Sequence, residues 1–115
     1  MEFTDSLKLN YEFRRAYRKG RSAAEPCLVV YARRNGKAGN RLGFTVSNKL
    51  GCAVVRNRVR RRLREIYRLN ESRLCRGHDV VVVARSRSVG ADYQRLEREF
   101  LRACAELGLV KESET

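Results

Sequence analysis

Residues 49–68 read Lys-Leu-Gly-Cys-Ala-Val-Val-Arg-Asn-Arg-Val-Arg-Arg-Arg-Leu-Arg-Glu-Ile-Tyr-Arg, and seven arginines between positions 56 and 68 face a single acid, Glu65. On a helix of 3.6 residues per turn, Val55, Val59, Leu63 and Ile66 gather on one narrow face. Asn57, Arg60, Arg61, Arg64 and Arg68 collect roughly opposite, flanked by Arg56 and Arg58. The stretch therefore reads as an amphipathic helix, anchored by aliphatics and presenting guanidinium groups outward. Most charged helix faces are simply solvated. Here the alternating acids that would support such a face through i,i+4 pairs are missing, so like charges repel along it. Every cation of the helix is arginine, whose planar fork suits phosphate. Gly51, just ahead, lets backbone approach a partner closely. The pattern points to a polyanion.

Working outward, the flanks supply a fold. Asn40 is followed by a strand at Arg41–Ser47 that alternates, with Leu42, Phe44 and Val46 on one side and Arg41, Gly43, Thr45 and Ser47 on the other. A second strand precedes it at Cys27–Arg34, with Val29, Tyr31 and Arg33 sharing a face. The turn chemistry of residues 35–40, Asn-Gly-Lys-Ala-Gly-Asn, predicts that the two form an antiparallel hairpin. Asp79–Arg85 is an unbroken apolar run, the signature of a central strand covered on both faces. Asn10 is placed to cap a short helix ending at Lys19 before Gly20, and Asp92–Leu107 carries a core stripe at helical spacing. Residues 111–115 are expected to fray. The expectation is one α/β domain over residues 1–115, a two-layer sandwich with helices covering much of one sheet.

Composition narrows the function. A net charge of +13 and a 43% apolar fraction describe a folded, basic chain with the electrostatic footprint of a nucleic-acid binder. No apolar run of about 18 residues exists to span a membrane, and no secretory signal opens the chain, so a soluble, cytoplasmic protein with no membrane partner is expected. Four cysteines stand more than twenty residues apart, and His78 is the single histidine, which removes zinc-ligand spacing and favours reduced structural thiols. No paired carboxylates or nucleophile–base set appears, so no catalytic and no metal residues are assigned. Binding chemistry is better supplied. Phe13 and Tyr17 on the first helix, with Tyr31 on a strand, fit the aromatic-plus-basic groove that holds single-stranded nucleic acid, although the pattern also allows Phe13 as core. DNA is disfavoured as a partner, since a helix-turn-helix would need a helix where a polar hairpin stands.

These residues also carry a resemblance. Lys49-x-Gly51-x-Ala53-Val54-x-Arg56-Asn57-Arg58-x-x-Arg61-x-x-Arg64 resembles the RNR signature of the bacterial ribonuclease P protein subunit. Leu7-Lys8-x-Asn10-x-x-Phe13, Gly43-Phe44-Thr45-Val46-Ser47 and Gly77–Arg85 resemble that family's opening helix, its strand before the signature and its last strand. The blocks run in family order from about Leu7 to Leu107.

The resemblance implies a fold like ribosomal protein S5 domain 2, in the order α-β-β(-β)-α-β-α, with a left-handed βαβ crossover against the usual hand. It implies a ribonucleoprotein that removes the 5′ leader of precursor tRNA, with catalysis and Mg²⁺ belonging to the RNA subunit. By the same resemblance, Lys49, Arg56, Asn57, Arg58, Arg60, Arg61, Arg64 and Arg68 would meet the catalytic RNA. Phe13, Tyr17 and Tyr31 would line a cleft for the leader. Arg62 departs from the family pattern by sitting toward the apolar edge, where it is expected to snorkel outward. The alternative is a ribosomal or ribosome-assembly RNA-binding protein of similar fold.

Overall fold

A computed structural model describes residues 1–111. A five-stranded sheet is built from β1 (Thr4–Ser6), β2 (Arg21–Ala24), β3 (Leu28–Arg34), β4 (Asn40–Thr45) and β5 (His78–Ala84), with helices α1 (Asn10–Lys19), α2 (Ala53–Asn70) and α3 (Tyr93–Glu106). The strand order is β1-β4-β5-β3-β2. The valine run of β5 lies at the centre, antiparallel to β3 and parallel to β4, as its two-sided apolar character demands. β4 and β5 are thus parallel neighbours joined through the arginine helix, the βαβ unit that the resemblance implied.

The expected β3–β4 hairpin does not form. Residues 35–39 carry the chain past β5, which takes the place between the two strands. Two tight-turn signals in one segment suit a hairpin locally, but β5 offers both strands a more apolar partner. The hairpin that does exist joins β2 and β3 through Glu25–Cys27, and β1 adds parallel to β4 at residues 40–42. Both β1 and β2 are too short and polar for a period-2 signal.

Alternation along the strands divides the core. Leu28, Val30, Ala32, Leu42, Val80, Val82 and Ala84 pack against Val59, Leu63, Ile66 and Tyr67 of α2 and Leu96, Phe100 and Cys104 of α3. The opposite face meets α1: Val81, Tyr31 and Val83 lie with Ala16, Phe13, Tyr17 and Leu7. The helical layer of the sandwich is α2 with α3, and α1 stands alone across the sheet.

Local details differ from expectation in three places. Leu9, not Asn10, occupies the cap position of α1, and Glu12 Oε1 accepts the Lys8 and Leu9 N–H groups at 3.2 and 3.0 Å. A carboxylate on the third residue satisfies helix-start donors as a cap would. Gly20 has φ −83°, so it is not a left-handed terminator; a Cβ there would collide with the carbonyl oxygens of Ala16 and Ala32. Lys111, the first residue of the expected frayed end, donates its N–H to Arg73 O at 2.8 Å, and the remainder of that segment, residues 112–115, lies outside the described residues.

Candidate nucleic-acid interface

The arginine helix takes the orientation its sequence asks for. Val59, Leu63, Ile66 and Tyr67 are buried, Val55 is half-buried, and Asn57, Arg58, Arg61, Arg64 and Arg68 are exposed. Arg56 and Arg60 are half-buried along the margins; Arg60 Nη1 donates to Asn57 Oδ1 at 3.0 Å and Arg56 Nε to Gly51 O at 3.2 Å. Arg68 pairs with Glu65 at 2.5 Å. Among the described residues no acid pairs with Arg56, Arg58, Arg60, Arg61 or Arg64. Arg62 does not run free to solvent: its Nη1 donates to Ala91 O at 3.0 Å, fastening α2 to the segment before α3. Lys49 stands exposed in a single 3-10 turn (Asn48–Leu50) ahead of Gly51, whose φ of 144° and nearness to Val55 disfavour any side chain.

The three aromatics meet on the α1 side of the sheet. Phe13 and Tyr17 are one turn apart on α1, and Tyr31 rises from β3 to pack edge-on against Tyr17, ring centroids 4.9 Å apart at 76°. Tyr17 Oη and Thr45 Oγ1 share a 2.5 Å hydrogen bond, which ties α1 to β4. Cross-strand register explains the spacing. Ser22, Tyr31, Val81 and Gly43 form one rung, and Phe13 lies over Gly43, where a Cβ would fall 2.5 Å from its ring. All three aromatics are half-buried; Phe13 and Tyr17 line the cleft described next, whereas Tyr31 lies against Tyr17 outside that lining.

Pairing of β1 with β4 stops at Leu42, which leaves the Gly43–Thr45 edge of β4 open. A cleft follows that edge, walled by Phe13, Arg14 and Tyr17 of α1, Phe44 and Thr45 of β4, and Arg60 of α2. A neighbouring depression continues past Phe13 and Phe44 to Arg60 and Arg64. Arg60 therefore belongs to both the helix face and the cleft, making them one continuous surface. Phe44 is the site residue that sequence reasoning missed. Alternation assigns it to the core with Leu42 and Val46, and it does pack there, but only the open edge of β4 reveals its second side.

A separate charge cluster is closed. Arg41 Nε and Nη2 grip Asp79 Oδ1 and Oδ2 at 2.8 and 2.7 Å, and Nη1 pairs with Glu12. Asn35 Nδ2 adds a bond to Asp79 Oδ1 at 3.1 Å. Burial pushes the Asp79 carboxyl up, but the Arg41 fork and Asn35 outweigh it and hold the group below its ordinary value. The Leu9 amide, joined by Lys8 and Arg41, holds Glu12 low against its burial. His78 opens β5, where burial lowers its pKa. All four thiols are free; Cys27 and Cys104 are core residues, the latter pushed up to about 12 by burial, and Cys52 is exposed. Among the described residues no three His, Cys, Asp or Glu side chains converge; Arg41 already engages Glu12 and Asp79, and Asp5 is the one carboxylate lining the depression beside the cleft. No helix of the described residues is long and apolar enough to cross a membrane.

Comparison with known proteins supplies the last observation. The family model described as Ribonuclease P matches residues 1–108. A "Ribonuclease P protein component" of Natranaerobius thermophilus is 42% identical over 108 residues, covering 94% of each chain. The chain superimposes on the Staphylococcus aureus RNase P protein with TM-score 0.84 and 31% identity, covering 92% of this chain and 97% of that one. The Thermotoga maritima RNase P protein gives 0.78 and 31% identity, covering 85% and 93%.

Proposed function

The chain belongs to the ribonuclease P protein family, and from that premise we propose that it binds the ribonuclease P RNA through the outer face of α2 while its aromatic cleft holds the single-stranded 5′ leader of precursor tRNA. The family decides between the two RNA-binding readings in favour of ribonuclease P rather than the ribosome. Cleavage chemistry is assigned to the RNA subunit with its Mg²⁺, in the cytoplasm. This chain contributes binding: Arg56, Arg58, Arg61 and Arg64 neutralise phosphates where two polyanions converge, with Lys49, Asn57 and Arg68 at the ends of the same face. Phe13, Tyr17 and Phe44 offer ring faces to unpaired bases, which stack on aromatics without needing a sequence, and the Tyr31 ring continues that platform beside Tyr17.

The observation that carries this reading is the continuity at Arg60. A row of cations that have no acidic partner among the described residues runs directly into a half-open aromatic cleft, so one RNA can lie along α2 while another strand enters beside it. The test is 5′ cleavage of a precursor tRNA by a bacterial ribonuclease P RNA at low Mg²⁺, with and without this protein. Restored cleavage supports the reading; tight RNA binding with unchanged cleavage contradicts it. Tyr31→Ala divides the two surfaces. It should weaken binding of leader-bearing tRNA roughly fivefold or more and leave mature tRNA unaffected, since one base stacked on an aromatic ring is worth about 1–3 kcal/mol.

A further inference from the structure

The outer face of α1 meets the surfaces described above only at Arg14. Tyr11, Arg14, Arg15, Arg18 and Lys19 recur at i, i+3, i+4, i+7 and i+8, the spacing of one helix face, and all five are exposed. The inner face of the same helix, Phe13, Ala16 and Tyr17, is committed to the sheet. Among the described residues none of the four cations has an acidic partner, and Glu12, the only acid of α1, is buried and turned to Arg41. A merely solvated face would carry acids at i±4 to relieve four like charges within two turns. The aromatic on this face is presented outward: Tyr11 is 51% exposed, with the Arg15 guanidinium 5.3 Å from its ring centroid. A ring beside a guanidinium, in a row of free cations, is the equipment that holds an unpaired base and its phosphates.

Position connects this face to the cleft. Arg14 walls the cleft on one side and on the other lines a shallow groove with Tyr11, Arg15, Arg18 and Lys19. We propose that the outer face of α1 is a second single-stranded RNA site, which takes the part of a leader that emerges from the cleft and crosses α1 at Arg14. The proposal rests on the cleft holding the leader. It extends the footprint by the length of α1, about 15 Å.

The experiment uses the reconstituted ribonucleoprotein and precursor tRNAs whose leaders run from about 4 to about 16 nucleotides, the span of single-strand site sizes. Arg15→Gln/Arg18→Gln/Lys19→Gln should bind short-leader substrate like wild type. It should lose affinity for long leaders, with the slope of log affinity against log salt shallower by about 2, near 0.7 per cation. Tyr11→Ala should lose roughly fivefold or more, again for long leaders only. Annealing a complementary strand to the distal leader should abolish both effects. The proposal is overturned if the triple variant matches wild type at every leader length, or if it loses equally on mature tRNA, which would assign the face to structured RNA instead. Should Tyr31→Ala also have no effect at any length, the cleft reading itself has failed; a Tyr31 effect without an α1 effect overturns only the extension.

Discussion

Arg41 and Arg61 are the same residue type put to opposite uses. Arg41 reaches across three elements to close on Asp79 and Glu12, both carboxylates almost fully buried. Arg61 stands exposed beside Arg58 and Arg64, and among the described residues no acid pairs with any of the three. The fold needs the first and gains nothing from the second. A chain with excess positive charge can afford such a row only if a partner supplies the missing anions. The contrast separates the structural arginine from the arginines proposed to bind RNA without reference to any relative.

Removing Arg41 should produce the largest effect on the fold. Arg41→Ala leaves buried Glu12 without its cation and buried Asp79 with only the 3.9 Å contact to Arg33, a loss of about 3–5 kcal/mol, read as a lower denaturation midpoint in urea. RNA affinity of the fraction still folded should change little.

Acidification sharpens the same point. Asp79 and Glu12 titrate below their ordinary values in the folded state. Their contribution is therefore complete above the unfolded carboxylate range, about pH 4, and disappears as pH falls through the lower folded values. Wild type should hold its stability down to that range and lose it steadily below. In Arg41→Met, burial acts on Asp79 with only Asn35 and the more distant Arg33 opposing it, so protonation relieves the variant and the gap to wild type should close as pH falls.

A smaller effect is expected within the cleft. Tyr17→Phe removes the bond to Thr45 but keeps the ring, so stability should drop by about 1 kcal/mol in urea titrations while leader binding is retained. Gly43→Ala should do the reverse to binding. The new methyl displaces the Phe13 ring, and affinity for leader-bearing tRNA should fall by more than affinity for mature tRNA.

How much of this was legible in the sequence follows from range. The period of Val59, Leu63 and Ile66 sets the direction in which α2 presents its arginines, because helix periodicity is a local property. The valine run gives β5 its central place for the same reason. Pairing is not local. Nothing in residues 35–40 says that β5, some forty residues later, will separate β3 from β4, and nothing in the Thr4–Ser6 stretch marks it as a strand. The cleft was half visible. Phe13, Tyr17 and Tyr31 stood out as aromatics among cations, while Phe44 was hidden by an alternation that counts each strand residue on one face only. The partners of Glu12 and Asp79 were out of reach altogether, since Arg41 is indistinguishable by sequence from the arginines that stay free.

The most direct test of that distinction is the salt dependence of affinity for ribonuclease P RNA, wild type against Arg61→Gln/Arg64→Gln. Removing two cations that each neutralise a phosphate should make the slope of log affinity against log salt shallower by roughly 1.4–1.8, with the urea midpoint unmoved. Parallel slopes would mean that these arginines meet no phosphate, and the account of α2 as the RNA-binding face would be wrong.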